Sequence, residues 1–239
     1  MKPILIFAHN YINHNWFEIV REQLLKLIKS GLYNQATEIH YGAYAHDKYQ
    51  LFKFIELVQQ HDLDQKIKIT IHPFNDGEKQ TMILMQDVSK YYSDAYVLYY
   101  HTKGITSLEN HKDNPNLQYK NIESWRHILE YYNIELWEKC IGELEQEDER
   151  DVCGCLWVGE NATPPYKNYY AGNFWWSKTK HLNKLLSLDS DMRKRDNRMG
   201  CETFIGSVGC YWLNLHLNSG GDVYDEYFDP KSYRKDLDS

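Results

Sequence analysis

The sequence predicts an α/β protein with a mixed, mostly parallel sheet and helices on both faces. In the first half of the 239-residue chain, short apolar runs alternate with longer segments whose apolar residues recur at helical spacing. This order is typical of parallel strands that are connected by helices. Hydrophobic residues make up 42% of the chain and charged residues 26%, which is the balance of a globular protein with a substantial core.

Apolar runs predict four strands in the first half, and helical periodicity predicts three helices between them. The strands are predicted over residues 4–8, 36–41, 67–71 and 95–100, and the helices over residues 16–28, 49–58 and 78–91. Parallel sheets bind ligands beyond the carboxyl ends of their strands, so the segments after the strands are expected to surround a site. Those segments are residues 9–14, 42–46, 73–77 and 101–104.

The second half is less regular. Its pattern predicts helices over residues 124–140, 178–186 and 202–217 and a strand over residues 152–158. Residues 104–121 are polar and predict a long loop, a kind of segment that is often functional. We find no linker composition between these elements, and we therefore expect one domain over residues 1–239.

The composition argues against several classes of protein. A net charge of −7 and a pI near 5.9 argue against a nucleic-acid-binding protein that relies on bulk positive charge. The mean hydropathy of −0.68 predicts no transmembrane helix, and the apolar start is too short for a signal peptide. The 5 cysteines, an odd number, predict free thiols in a reducing compartment. We expect a cytoplasmic protein, with peripheral membrane contact left open.

The content of aromatic residues is high, at 15%, with 20 Tyr and 7 Trp. Tyr and Trp combine an apolar face with a polar handle, which suits sugars and other amphipathic ligands. The alternative is a core and a surface that are simply rich in tyrosine, and composition alone favours that alternative.

The fourth predicted strand ends in the polar cluster His101-Thr102-Lys103-Gly104. Lys103 offers a compact cation, and His101 offers a donor, a base or a metal ligand. Gly104 lets the backbone approach a ligand closely. Together these residues suit a diphosphate, and the alternative is a polar strand end with an exposed lysine.

Two adjacent tryptophans, Trp175 and Trp176, follow Asn173 just before a predicted helix. Because neighbouring side chains point in different directions, one indole is available as a platform for a sugar ring, with Asn173 bonding to the sugar hydroxyls. We expect that indole to be solvent-accessible. The alternative is one tryptophan in the core and one packed at the start of the helix.

A carboxylate, Glu202, lies at the predicted start of the last helix, where the helix dipole favours an ionised acid. A carboxylate fixed in this way can accept the proton of an attacking hydroxyl. The alternative, favoured by spacing alone, is that Glu202 only stabilises the end of its helix.

These segments resemble GT-A-like glycosyltransferases of bacteria and large viruses, and they are similar to the rhamnan synthesis protein F group. The matching segments, in the same order, are Tyr96-Val97-Leu98-Tyr99-Tyr100-His101-Thr102-Lys103-Gly104, Trp125-Arg126 and Gly172-Asn173-Phe174-Trp175-Trp176. Ser30-Gly31-Leu32-Tyr33 and the pair Arg198 and Glu202 add to the likeness. The resemblance implies a GT-A-like fold and transfer of a sugar from a nucleoside diphosphate, UDP or dTDP, to a glycan hydroxyl in polysaccharide or glycoconjugate assembly.

The resemblance also implies different roles for the two halves of the chain. Residues 1–104 would form the nucleotide-binding half and residues 105–239 the acceptor half. The residues expected to bind the nucleotide sugar are His9, Asn10, Glu78, His101, Lys103 and Gly104. Those expected to bind the acceptor are Asn173, Trp175, Trp176 and Arg126, and those expected to be catalytic are Glu202, Lys103 and His101. Glu202 would be the base of an inverting reaction or would orient the acceptor in a retaining one.

The chain departs from the usual pattern of the fold at the fourth strand. GT-A enzymes carry Asp-x-Asp there to hold a divalent metal, whereas this chain has His101-Thr102-Lys103. Either Mn²⁺ or Mg²⁺ is held elsewhere, or Lys103 and neighbouring donors neutralise the leaving phosphate without a metal.

Two other functions stay open at this point. One is a non-catalytic glycan-binding protein on the same fold. The other is a sugar nucleotidyltransferase, but that class needs a phosphate-binding loop after the first strand, where this chain has Ala8-His9-Asn10-Tyr11.

Overall fold

We describe the protein from a computed structural model, over residues 2–104, 118–146, 150–159, 168–188, 197–217 and 223–234. Most of the loop predicted over residues 104–121 lies outside these ranges. Seven of the described strands form one sheet, with the order β3-β2-β1-β4-β8-β5-β9. Two further short strands, β6 and β7, pair with each other.

The elements predicted for the first half are all present. Apolar sequence gives the strands β1 to β4, and amphipathic sequence gives the helices between them, with a short extra helix, α2, after the first. In chain order they are β1 (Ile4–Ile12), α1 (Trp16–Lys29), α2 (Leu32–Gln35), β2 (Glu38–Ala45), α3 (Lys48–His61), β3 (Ile67–Ile71), α4 (Lys79–Ser89) and β4 (Tyr96–His101). Gly31 takes a φ of 78°, which lets the chain turn sharply between the two first helices.

The elements of the second half are shorter and more broken. In chain order they are α5 (Gln118–Glu130), a π-helical turn (Tyr131–Glu135), α6 (Trp137–Gln146), β5 (Val152–Gly154), β6 (Trp157–Val158), β7 (Tyr169–Tyr170), β8 (Trp175–Lys178), α7 (Thr179–Leu182), α8 (Asn197–Glu202), β9 (Trp212–Asn214) and α9 (Pro230–Tyr233). The single helix predicted over residues 124–140 is therefore two α-helices joined by the π-helical turn. The Asn133 side chain bonds to the Leu129 carbonyl at 2.9 Å, which the regular helical ladder would otherwise use.

Three further sequence predictions are wrong in extent or type. The strand predicted over residues 152–158 divides into β5 and β6, because Leu156 takes a φ of 61° and redirects the chain. The helix predicted over residues 178–186 is only the short α7. The helix predicted over residues 202–217 is absent from the described part of the chain, where α8 ends at Glu202 and residues 212–214 form β9. Pairing of β9 with β5 outweighs the local helical periodicity.

The topology defines where a ligand is expected to bind. β1 pairs in parallel with both β2 and β4, so the chain leaves β1 on one side for β2 and β3 and returns on the other side for β4. This reversal is a topological switch point, the usual ligand site of open α/β sheets. β8 is antiparallel to both β4 and β5, and β9 is parallel to β5, so β4, β5 and β9 all run in the same direction.

Each face of the sheet carries its own apolar cluster. Along β1, Ile4, Ile6 and Ala8 belong to one cluster, while Leu5 and Phe7 belong to the other. This alternation follows from the period of two in a strand, and it shows that β1 is buried on both faces. Over the described residues, we find no helix with both the length and the apolar content to cross a membrane.

Candidate active site

Two histidines meet at the switch point between β1 and β4. His9 and His101 are register partners on these neighbouring strands, close to their carboxyl ends. The His101 imidazole donates from Nε2 to the Gly172 carbonyl oxygen at 2.9 Å, and the same nitrogen lies 3.9 Å from the Glu78 carboxylate. The structure therefore brings together three residues that the sequence placed in three separate segments.

Glu78 forms the centre of a polar network with Asn173. One carboxylate oxygen of Glu78 accepts from the Tyr99 hydroxyl at 2.8 Å and from the Asn173 amide at 2.7 Å. The Asn173 carbonyl oxygen in turn accepts from the Trp175 indole at 2.8 Å. Burial and the charge of Glu78 raise the pKa of Tyr99 well above its usual value, so its hydroxyl stays a donor to Glu78. Glu78 and Asn173, predicted for opposite halves of the site, are thus in direct contact.

Behind His9 lies a hydrogen-bonded chain that the sequence did not reveal. The Thr81 hydroxyl is 2.9 Å from His9 Nδ1 and 2.8 Å from His72 Nε2, so it donates to one ring and accepts from the other. Gly42 makes room for this arrangement, because a Cβ there would lie 2.0 Å from the Thr81 hydroxyl oxygen. Only the pairing of distant segments brings these residues together, and no local pattern marks Thr81 or His72.

Burial keeps His9 uncharged. It lowers the pKa of the imidazole from its usual 6.5 to about 3, and the nearby His101 and His72 add to this effect while Glu78 opposes it. Burial also lowers the pKa of His72. At neutral pH the His9–Thr81–His72 chain is therefore a set of neutral donors and acceptors.

Asn10 lies inside the sheet and is only 1% exposed. Its amide donates to the carbonyl oxygens of Ala8 and Gly42, both at 3.3 Å. This placement ties β1 to β2 and directs the Asn10 amide to the backbone.

Lys103 turns towards the other face of the sheet from Tyr99 and Trp175. Its ammonium nitrogen lies 3.5 Å from the centroid of the Trp125 ring and 6.0 Å from that of Tyr224, which are cation–π contacts. The backbone N–H of Lys103 donates to the backbone carbonyl of His101 at 2.9 Å, and Gly104 follows with a φ of 88°. Lys103 and Gly104 thus form a tight turn directly after β4.

The prediction that one of the paired tryptophans is exposed is wrong, because Trp175 and Trp176 are both 0% exposed. They are consecutive residues of β8, which lies between β4 and β5, so each fills the apolar cluster on one face. Their indole N–H groups donate to the side chain of Asn173 and to the carbonyl of Asn133. Neither ring offers a surface to a sugar.

Arg126, predicted for the acceptor site, is instead part of a buried ion-pair cluster. Its guanidinium lies 2.8 Å from Glu22 and 2.9 Å from Glu130, and Lys26 lies 2.5 Å from the other oxygen of Glu130. Burial alone would raise the pKa of Glu130, but Arg126 and Lys26 outweigh burial and hold that pKa below its usual value. With its charge satisfied inside the protein, Arg126 is not placed to meet an acceptor.

The buried cluster reaches the site through one glutamine. Gln23 donates from its amide to Glu130 at 2.9 Å and to the backbone carbonyl of His101 at 3.2 Å. Gln23 is 1% exposed, and it lies on α1, whereas Glu130 ends α5. The ion pairs between α1 and α5 therefore also fix the end of β4.

Glu202 is the last residue of α8, which corrects the prediction that it begins a helix. The C-terminal end of a helix carries partial negative charge, so the helix dipole does not favour a carboxylate at this position. Its neighbour Cys201 is buried, and the pKa of the Cys201 thiol is raised by burial and by the nearby charges of Glu78 and Asp76. Glu202 therefore lies in the same region as the start of α4. The side chain of Arg198, which the sequence pairs with Glu202, lies outside the described residues.

An aromatic cluster lies at the carboxyl ends of β1 and β2. Tyr11 and Tyr44 are register partners whose rings stack at a centroid distance of 6.2 Å and an interplanar angle of 7°. His46 contacts both rings edge-on, with centroid distances of 6.2 Å to Tyr11 and 5.1 Å to Tyr44. The sequence places all three residues in segments that follow strands, which is the signal that locates them.

The residues after β4 do not fit a divalent metal. The Nε2 atom of His101 carries the proton that bonds to the Gly172 carbonyl, so only Nδ1 of this ring keeps a lone pair for a metal, and Lys103 is a cation. Elsewhere in the described residues, Glu22, His127 and Glu130 have ligand atoms within 4.8 Å of one another. Lys26 and Arg126 already occupy the carboxylates of that group, so a metal would have to displace two cations.

Comparison of the whole chain with known proteins gives a fold rather than a family. No protein-family model and no curated protein matches the chain. Among solved structures it is similar to PcManGT, a mannosyltransferase from Pyrobaculum calidifontis in complex with GDP-Man and Mn²⁺, with a TM-score of 0.51 and 10% identity. The match covers 93% of this chain and 58% of the mannosyltransferase chain. The chain has a GT-A-like fold, as the sequence predicts.

Two further solved structures are similar at lower scores. One is a 4-diphosphocytidyl-2C-methyl-D-erythritol synthase, with a TM-score of 0.42, 11% identity and coverage of 97% of this chain and 95% of that chain. The other is S. aureus TarS 1-349, with a TM-score of 0.38, 13% identity and coverage of 90% of this chain and 60% of that chain.

The shifted pKa of His9 predicts how acid destabilises the protein. Between pH 6.5 and about 3, the unfolded chain binds a proton at His9 that the folded chain does not, so stability falls as the pH falls through this window. One such group contributes a slope of about 1.4 kcal/mol per pH unit. His9→Gln, which cannot titrate, should flatten the curve of unfolding free energy against pH in this window, measured by urea denaturation.

Gln59→Ala is the control, because Gln59 is exposed on α3 and carries no titratable group. This variant should keep the slope of the natural protein. An unchanged slope in His9→Gln would contradict the buried neutral state of His9.

Proposed function

We propose that the chain transfers a sugar from a nucleoside diphosphate sugar to a hydroxyl group of a glycan. The observation that carries the proposal is the pairing of His9 with His101 at the switch point of a GT-A-like sheet. Beside this pair lies the Glu78–Asn173 network, which supplies fixed donors and acceptors. Residues 1–104 would bind the donor, and residues 105–239 would supply most of the acceptor side.

The aromatic cluster of Tyr11, Tyr44 and His46 supports a nucleotide at the ends of β1 and β2. A planar base stacks well on such rings, since offset aromatic stacking adds about 0.5–1.5 kcal/mol beyond burial. We infer a uridine or thymidine diphosphate rather than an adenosine diphosphate, as the resemblance to the rhamnan synthesis group implies. That resemblance also supports a role in polysaccharide or glycoconjugate assembly.

Lys103 is our candidate for the leaving diphosphate. Its flexible four-carbon stem can carry the ammonium group from the face of Trp125 to a phosphate at the sharp turn made by Gly104. The required chemistry is positive charge where the diphosphate departs. In this proposal Lys103 supplies that charge, because the residues after β4 do not fit a metal.

Glu202 is our candidate for the group that receives the acceptor proton. In an inverting reaction, the acceptor oxygen would form a bond to the anomeric carbon, the bond to the diphosphate would break, and Glu202 would take the hydroxyl proton. In a retaining reaction Glu202 would only orient that hydroxyl. Its support is the position of α8 beside the start of α4, where Glu78 lies.

Removal of the Lys103 charge should weaken binding of the diphosphate. Lys103→Ala should reduce the affinity for UDP by about 1.5–3 kcal/mol, the contribution of a hydrogen bond to a charged group, measured by calorimetry. Lys90→Ala is the control, because Lys90 is exposed and follows the opposite end of α4 from Glu78. Equal affinities in Lys103→Ala and the natural protein would remove Lys103 from the site.

The proposed reaction itself is tested at Glu202. Glu202→Gln keeps the shape and the hydrogen bonds of the side chain but cannot accept a proton, so turnover should fall by about 10²–10⁴-fold. Affinity for the donor should change little, which is the pattern of an interaction made in the transition state. Release of nucleoside diphosphate from UDP- and dTDP-sugars gives the turnover.

The matched control for this test is Glu56→Gln, at an exposed position of α3, and it should keep normal turnover. A lowered melting temperature with near-normal turnover in Glu202→Gln would assign Glu202 a purely structural role.

A further inference from the structure

The last strand of the sheet presents an exposed tryptophan on a rigid support. Trp212 of β9 is 47% exposed, although Trp157 beneath it is only 7% exposed. The two rings stack at a centroid distance of 5.2 Å and an interplanar angle of 16°. Tyr170 packs edge-on against Trp157 at 4.7 Å. The Trp212 ring is therefore held at the surface by two layers of aromatic residues.

This ring lies on the same face of the sheet as the network around Glu78. Trp212 and its register partner Val152 share a face, and Val152 and Trp157 belong to the apolar cluster that contains Tyr99 and Trp175. The carboxyl ends of β9 and β4 lie at the same sheet edge, because the two strands run in the same direction. Through Val152 and Ser177, Trp212 is level with Val97, so it lies three strand spacings across the sheet and four residues along it from His101, which is about 20 Å in all.

Two polar groups near this ring lack protein partners. Within the part of the chain that the structure describes, the indole N–H of Trp157 and the side-chain carbonyl of Asn214 are shielded from solvent and make no hydrogen bond. Asn214 is two residues from Trp212, so both side chains point to the same face of β9. A shielded donor and a shielded acceptor are each unfavourable without a partner.

We propose that Trp212 stacks against a pyranose ring of the glycan acceptor, several sugar units away from the reacting hydroxyl. The apolar face of a pyranose matches an exposed indole, and its hydroxyls can pair with the side chain of Asn214, on the same face of β9, when that amide rotates. The separation of about 20 Å from His101 at the end of β4 requires an oligosaccharide. The inference rests on the proposed function, and it replaces the role that the sequence assigned to Trp175 and Trp176.

The chemistry favours a glycan over a lipid surface. The net charge of the chain is −7, which opposes binding to anionic headgroups. Acyl chains also have no hydroxyl for the unpartnered side-chain carbonyl of Asn214. Vesicles of anionic and neutral phospholipid therefore serve as the alternative ligand in the test.

The test uses linear hexasaccharides of rhamnose, mannose, glucose or N-acetylglucosamine as probes, with binding measured by saturation-transfer NMR and by calorimetry. At least one hexasaccharide should bind the natural protein, and Trp212→Ala should weaken it about tenfold or more, the value expected for loss of aromatic stacking. Trp212→Tyr should retain part of the affinity. Tyr91→Ala, at an aromatic residue 87% exposed between α4 and β4, is the matched control and should bind normally.

Calorimetry with UDP separates this inference from the proposed function. UDP binding without hexasaccharide binding, equal hexasaccharide affinity in Trp212→Ala, or Trp212-dependent binding to vesicles would each overturn the Trp212 site alone. Hexasaccharide binding that depends on Trp212, without binding of any nucleoside diphosphate, would support the site and overturn the transferase. Melting temperatures of the Trp212 variants near that of the natural protein would show that any loss of affinity is local.

Discussion

A buried carboxylate, Glu130, holds together the elements that form the site. An ion this deeply buried must be paired, and Lys26 and Arg126 provide the two cations. Loss of one partner from such a cluster costs about 3–5 kcal/mol, because the remaining charge is left uncompensated. Since Gln23 joins the same carboxylate to the backbone of His101, the ion pairs fix the position of β4 as well as the packing of α1 on α5.

The site around this support combines neutral and charged groups for different tasks. His9 is kept neutral by burial, so it contributes hydrogen bonds rather than charge. The Glu78 carboxylate accepts hydrogen bonds from Tyr99 and Asn173, and these bonds fix its orientation. Lys103, in contrast, contacts the aromatic faces of Trp125 and Tyr224 and carries its charge on a flexible stem.

The sequence predicts the first half of the fold well because strands buried on both faces contain continuous apolar runs, as in residues 4–8 of β1. It fails in the second half, where two- to four-residue strands are defined by pairing with distant segments rather than by local pattern. Adjacent tryptophans in β8 resemble a binding platform in the sequence, but an apolar cluster on each face of the sheet buries one of them. Likewise, the sequence does not show that Arg126 is buried in an ion-pair cluster, because its partner Glu22 is 104 residues away. Strand-end residues such as His101 are predictable, since topology alone places them at the sheet edge.

We propose that the sheet edge between β1 and β4 binds a nucleoside diphosphate. The most direct measurement is a thermal-shift screen of UDP, dTDP, GDP, ADP and their sugars, with and without Mn²⁺. A ligand at one hundred times its dissociation constant stabilises the folded protein by about 2.7 kcal/mol, which is about 5–10 °C for a chain of this size. The account predicts such an increase for UDP or dTDP and a smaller one for ADP. No increase with any nucleoside diphosphate, in either condition, would contradict it.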